Sequence, residues 1–362
     1  MLKTAQELKF MDNTLVNNRD DFFGACNSFH GFKSFFGEIF KRKDFTRIYV
    51  IKGGPGTGKS SFMKKILHRL PEGCRAECIL CSSDPHSIDG IILEGKVGRA
   101  ALLDGTAPHI EEAIYPGAID EIIDLGKCWE NSRLIASKEK ILSKSDEKKA
   151  AYSAAYSYMS IAGECNAFTE RELISRYNTD KSKGLAIKTA EKISKNRDGV
   201  RSVRLQSAFC KQGIFRVDTL MKKAKHRIRL NGDELLAGLF LEDLIISFNM
   251  LGASYMKIPS PLSPKRCEAI YLPEEEILIG DSASEEMIDL CGLTNKDRVS
   301  EERTNAAREL YVSSLEEAKR WFKIASELHF GLEEIYTFAM DFKAVDAVFE
   351  EKFDEIKKIV GL

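Results

Sequence analysis

Eight consecutive residues, Gly53-Gly54-Pro55-Gly56-Thr57-Gly58-Lys59-Ser60, meet the pattern G-x-x-x-x-G-K-[ST] at every specified position. Each residue type has a chemical reason. Glycines let backbone N–H groups close around an anion that side chains would hold away. A lysine at the seventh position reaches the β- and γ-phosphates of a nucleotide, and the hydroxyl after it ligates Mg²⁺. The expected nucleotide contacts are therefore Gly53, Gly54, Pro55, Gly56, Thr57, Gly58, Lys59, Ser60 and Ser61, with Ser60 also on the metal. Asp104 closes the apolar run Ala101-Leu102-Leu103, the place from which a carboxylate holds Mg²⁺ directly or through water. Its plainer alternative is a turn aspartate beside Gly105. Because residue 105 is glycine rather than glutamate, a water-activating acid must come from elsewhere. Asp84, His86, Asp89 and His109 are the candidates. Asp84 stands where a carboxylate can take the proton of a substrate hydroxyl, or where Asp-Pro simply starts a turn. His109 either bonds a phosphate or fixes its own loop.

These residues need a strand, a loop and a helix in that order. Arg47 to Lys52 (RIYVIK) reads as a β-branched, aromatic strand that runs into the glycines. Phe62, Met63, Ile66, Leu67 and Leu70 then repeat at helical spacing until Pro71 and Gly73. The start of that helix directs its partial positive charge at the same anion. Glu77 to Cys81 and Ala100 to Leu103 read as further strands, and their alternation with helices predicts an α/β fold with a mostly parallel sheet. Upstream, Phe32, Phe35, Phe36 and Phe40 are spaced for one helix face packed on that sheet, one ring being an alternative platform for adenine.

Composition narrows the setting. The chain has 362 residues, 43% hydrophobic and 30% charged, enough for two domains with cores. A formal charge of -1 gives no global attraction to nucleic acid or an anionic membrane. The basic cluster Lys222-Lys223-Ala224-Lys225-His226-Arg227 keeps nucleic acid as a local possibility beside an ordinary solvated surface. No apolar run is long enough to span a bilayer, and the opening MLKTAQELKFMDNT has no signal-peptide core, so the expected location is cytoplasmic. Nine scattered cysteines agree with a reducing compartment. Cys74, Cys78 and Cys81 have the C-x3-C-x2-C spacing of an iron–sulfur site, but a strand would send Cys78 and Cys81 to opposite faces.

From about Glu130 to Ser194 the sequence turns to Lys, Glu, Ala and Ser, as in KEKILSKSDEKKAAYSAAYSYM. This predicts a helical hairpin, with a turn or frayed stretch within Lys181 to Asp198. The second half then echoes the first. Glu121-Ile122-Ile123-Asp124-Leu125 returns as Glu286-Met287-Ile288-Asp289-Leu290, the strand Arg227 to Gly232 matches Arg47 to Gly53, and Glu301 to Val360 is a second helical tract. Gly232 and Gly238 imitate the loop glycines. The echo lacks the lysine and the hydroxyl, and Asp233-Glu234 would repel a triphosphate. The division expected is 1–129 for the N-terminal segment and active core, 130–200 for a helical hairpin, 201–300 for a degenerate half, and 301–362 for a C-terminal helical hairpin.

Lys52 to Ile66 (KGGPGTGKSSFMKKI), Cys81 to Asp84 (CSSD), Leu102 to His109 (LLDGTAPH) and Gly31 to Phe36 (GFKSFF) together resemble a poorly characterised family of bacterial P-loop ATPases built from two tandem P-loop-like halves. The resemblance implies a duplicated P-loop NTPase fold that binds ATP or GTP with Mg²⁺. In that family the second half often carries its own phosphate loop, and this sequence departs by lacking it. The leading expectation is an ATPase with one working site, coupled through its helical hairpins to a protein or small-molecule partner. The alternatives are a small-molecule or nucleotide kinase with Asp84 as base, and a nucleotide-gated binding module with little turnover.

Overall fold

The computed structural model describes residues 19–361 other than 72, 109, 281–283, 285, 296 and 297. The N-terminal half runs β1 (Arg19–Phe23), β2 (Ala25–Ser28), β3 (Gly31–Ser34), α1 (Phe36–Ile39), β4 (Arg47–Lys52), α2 (Lys59–Arg69), β5 (Arg75–Leu80), β6 (Ile88–Glu94), β7 (Arg99–Asp104) and β8 (Asp120–Asp124). Three helices follow, α3 (Asn131–Ala136), α4 (Lys138–Ile174) and α5 (Thr179–Ile193). The other half repeats the succession with β9 (Arg201–Val203), β10 (Ser207–Cys210), β11 (Gly213–Arg216), α6 (Thr219–Lys223), β12 (His226–Asn231) and α7 (Glu234–Leu251). It continues through β13 (Tyr255–Pro259), β14 (Cys267–Leu272), β15 (Ile277–Ile279) and β16 (Met287–Asp289) to α8 (Arg298–Ala339) and α9 (Phe342–Val360).

The two six-stranded sheets share one strand order. The first is β1-β5-β6-β7-β4-β8, and the second, read from its β9 edge, is β9-β13-β14-β15-β12-β16. Position by position these are the same strands of each half, down to the small hairpins β2-β3 and β10-β11. Within the first sheet β4 lies parallel to both β7 and β8, while β6 runs antiparallel to its neighbours β5 and β7. The sheet is thus mixed but mostly of one direction. β6 and β8 are strands that the sequence reading did not assign, and the reversal of β6 follows from the short connections on either side of it.

Contacts divide the chain into two units, and neither is a continuous segment. Of the described residues, one unit holds those within 19–22, 40–148 and 326–361, and the other holds those within 23–39 and 149–325. The linear division at 129, 200 and 300 therefore gives way to an exchange. α9 belongs to the unit of the first sheet, where Phe62 of α2 meets Phe349 edge-on at 5.1 Å between ring centroids. Lys65 lies over the same ring at 4.1 Å, and Arg69 pairs with Glu350 at 2.6 Å. α5 instead packs on α7, with Ala186, Ala190 and Ile193 in the core of the other unit beside Leu241 and Leu244. Neither helix is a free hairpin arm. α5 is unbroken to Ile193, and the turn or frayed stretch expected within Lys181 to Asp198 falls only in the irregular residues 194–198.

The aromatic stretch before β4 is corrected as well. Gly31–Ser34 is a strand, not a helix, because Gly31 (φ 96) closes a tight turn and β2 pairs with β3. Asn27 on β2 donates to the Phe209 carbonyl at 2.9 Å and accepts from the Tyr156 hydroxyl at 2.7 Å, which ties the two hairpins of that unit to α4.

Candidate functional site

β4 is apolar through Ile48-Tyr49-Val50-Ile51, all buried, and delivers the chain to Gly53 at the edge of the core. The residues Gly53 to Gly58 form the loop, and α2 starts at Lys59 as the spacing predicts. Gly58 caps the helix in the left-handed region (φ 87), so no side chain closes the helix N-terminus. Its first-turn amides face an anion position with the helix dipole behind them. Gly56 is also left-handed (φ 71), and a Cβ there would lie 2.4 Å from the Glu333 carbonyl oxygen. Only glycine fits that position.

Lys59 folds over the loop and donates to the Gly53 and Gly54 carbonyls at 2.7 and 2.9 Å. Its ammonium also lies 3.6 Å from the Asp104 carboxylate, and the side chains are only 10% and 17% exposed. Parallel pairing of β4 with β7 sets Ile51 opposite Asp104, which brings the carboxylate beside the loop. The Thr106 amide and hydroxyl hold its other oxygen at 2.8 and 2.5 Å. Burial raises the Asp104 pKa, opposed chiefly by Lys59 and by the Thr106 hydrogen bonds. A metal cation at the oxygen facing Lys59 would favour the ionised form further.

The remaining loop residues fall into structural and accessible groups. Thr57 is buried and donates to the Gly54 carbonyl at 2.9 Å, a bond that holds the turn. Ser60 accepts from the Ile88 amide at 3.0 Å, which ties α2 to β6 and leaves the hydroxyl a further lone pair for a metal. Pro55 is part-exposed in the turn, and Ser61 is exposed on the first turn of α2. Asp84 lies in the turn between β5 and β6, its carbonyl accepting from Ser87 at 2.8 Å. Asp89, at the start of β6, is buried, and its charge reaches Asp104. His86 is exposed, and its carbonyl accepts from Lys64 at 2.7 Å. His109 lies outside the described residues. Its flanking loop is anchored by Lys52, which donates to the carbonyls of Gly105 and Glu111 at 2.8 and 2.7 Å.

Sequence reasoning missed the residues that α8 and the 3-10 turn after β8 bring to the loop. Tyr336 and Trp129 lie 3.3 and 3.4 Å from the Cβ position of Gly54, with their rings 5.5 Å apart. Thr337 donates to the Gly56 carbonyl at 3.2 Å. The Trp129 indole N–H is buried without a hydrogen-bond partner among the described residues. Two turns back on α8, His329 lies 3.5 Å from the Glu333 carboxylate and 3.5 Å from the Lys148 ammonium. Burial, then Lys148 and Lys59, push the imidazole pKa down to about 4, so it is neutral near neutral pH. The available signal was the spacing of His329, Glu333, Tyr336 and Thr337 on one helix face.

The corresponding place in the other half differs in kind. Only Gly232 and Asp233 separate β12 from α7, and the Asp233 carboxylate caps the helix by accepting from the Leu236 amide at 2.8 Å. An internal anion stands where the first half leaves its helix uncapped. Gly238, expected in a loop, is a buried residue inside α7. A cavity of about 250 Å³ at this end of α7 is lined by Asp233 and Glu234 together with Arg176 and Tyr311. Arg308 also lines it, so two arginines balance the two acids, and neither the lysine nor the hydroxyl of the first loop has a counterpart there.

The cysteines and the basic cluster have ordinary surroundings. Burial raises the thiols of Cys74, Cys78 and Cys81 above their usual range, and among the described residues no group of three or more His, Cys, Asp or Glu side chains is arranged to hold a metal ion. In the basic cluster, Lys222 pairs with Asp218 at 2.9 Å and Lys225 pairs with Glu276. No described helix is long and apolar enough to cross a membrane. No family model matches the chain, and no curated protein or solved structure is significantly similar to it.

Proposed function

We propose that this protein binds a nucleoside triphosphate with Mg²⁺ at one site, the loop Gly53 to Ser60, and hydrolyses it. The observation that carries the reading is Lys59, held between the loop carbonyls and Asp104 at the head of a helix that no side chain caps. In this reading the loop amides and the start of α2 bind phosphate oxygens, and Lys59 leaves the loop carbonyls to meet the β- and γ-phosphates. Ser60 and Asp104 hold Mg²⁺, which neutralises charge on the phosphates as the leaving group departs. Asp84 and Asp89 are the carboxylates nearest to the task of orienting a water. The tandem-duplicated P-loop ATPase family remains part of this proposal, supported by the matching strand order of the two sheets. ATP is the favoured nucleotide, with GTP the competitor. Nine cysteines free of disulfides support a reducing, cytoplasmic setting.

The packing of Tyr336 and Thr337 on the loop favours a second reading, in which turnover is slow and α8 reports nucleotide state to a partner. Phosphate release from Mg²⁺-ATP distinguishes the two. Hydrolysis predicts steady release that falls at least about 100-fold in Lys59→Ala, the scale of losing a transition-state contact. Equal release from wild type and variant contradicts an ATPase at this site. Binding without release selects the gated module, and label transferred to an acceptor instead of water selects a kinase.

A further inference from the structure

We propose that Lys148 is the cation that completes the terminal-phosphate end of this nucleotide site, positioned by His329, so that α4 and α8 together distinguish a nucleoside triphosphate from a diphosphate. The inference rests on the nucleotide reading above and goes beyond it by naming residues outside the loop motif.

The position of α8 carries the first part. Glu333, Tyr336 and Thr337 all reach the loop between Gly54 and Gly56, so this face of the helix is fixed against the glycines. His329 is one turn earlier on the same face and lies within electrostatic reach of Lys59, Asp84 and Asp89. Of those three, Lys59 is the residue that meets the reactive end of a triphosphate in that reading. A neutral imidazole there accepts or donates hydrogen bonds without adding charge.

Lys148 supplies the second part. Among the described residues its one polar partner is the His329 ring, 3.5 Å from its ammonium. Lys144, one turn earlier on α4, comes against Gly331, so α4 is held alongside α8 at this level. Burial lowers the Lys148 pKa while Glu333 opposes the shift. A half-buried ammonium hydrogen-bonded to a neutral ring, with the Glu333 carboxylate acting on it only through space, is an incompletely balanced charge. An incoming phosphate would balance it. Mg²⁺ and Lys59 leave a triphosphate with surplus negative charge, and a further cation at the γ-phosphate is the usual remedy in phosphoryl transfer.

The test is calorimetric titration of the full-length protein with the Mg²⁺ complexes of a non-hydrolysable ATP analogue and of ADP. Lys148→Met keeps the apolar stem and removes the charge, and an unchanged melting temperature confirms folding. The expected result is an affinity for the ATP analogue about tenfold lower or more, with ADP affinity changed less than about twofold. Lys148→Arg restores most of the difference, and His329→Ala gives a smaller loss of the same selective kind. Lys148→Met that changes neither affinity, or both equally, overturns this proposal alone. Wild-type protein that binds neither nucleotide overturns the nucleotide reading and this proposal with it.

Discussion

At the scale of single residues the site is a balance of buried charges. Lys59 and Asp104 lie within ion-pair range, and Lys148 is held against a histidine whose own protonation it opposes. The histidine links the site to pH. Its pKa falls from 6.5 in the unfolded chain to about 4 in the folded protein, through burial first and then Lys148 and Lys59, with Asp84 and Asp89 opposing. Between those values the unfolded chain binds the extra proton, so the contribution of neutral His329 is complete above pH 6.5 and lost as pH falls toward 4. Glu333, 3.5 Å away, softens the loss, and 44% side-chain exposure reduces it further by screening. Melting temperatures measured from about pH 7 down to about pH 5 should fall less steeply for His329→Asn than for wild type. Parallel slopes would contradict the assignment.

The glycines, Lys59, Ser60 and Asp104 were legible in the sequence because a continuous motif and an apolar run reveal them locally. Lys148, His329 and Trp129 were not. Each is a single polar or aromatic residue in an ordinary helix or turn, and only the fold brings Trp129 to the loop and Lys148 to His329. Asp89 was one of four named candidates. Its burial at the start of β6, which sets it apart from exposed His86, depends on a strand pairing that the sequence does not display.

Among the elements, α2 is the piece on which the loop depends, and α9 covers it from the far end of the chain. Phe349 is 1% exposed and packs on Phe62 at 5.1 Å and Phe353 at 5.6 Å, with Lys65 and Arg69 laid across the rings. Truncating such a ring costs about 3–5 kcal/mol. Phe349→Ala should therefore lower unfolding stability by about that amount in urea titrations, although the residue is 290 positions from Lys59 in the sequence (349 − 59). A loss under about 1 kcal/mol would mean that α9 is dispensable to this unit. The helices were legible as helical tracts through their composition. Their destinations were not, since a charged amphipathic helix says which face is buried but not against what. The aromatic stretch before β4 misled for a related reason. Four residues of strand followed by one helical turn place phenylalanines at intervals that a helix would also produce.

Among the described residues, the molecule holds two six-stranded sheets with one strand order, and the helix that follows the corresponding strand in each begins differently. In one, six residues loop from β4 to α2 and leave the helix uncapped. In the other, two residues join β12 to α7 and an aspartate provides the cap. The missing lysine and hydroxyl of the second half were legible in sequence. That Asp233 itself caps α7 required the structure. Each unit also contains a helix from the opposite half of the chain, so neither half of the sequence contains a whole unit. The proposed function gives a chain organised in this way one place for a triphosphate, and counting bound nucleotides tests that directly. Titration calorimetry of the intact protein with Mg²⁺-ATP under conditions without turnover should give one nucleotide per chain, with binding abolished in Lys59→Ala and unchanged in Asp233→Ala. Two equivalent sites per chain, or full binding by Lys59→Ala, would contradict the account.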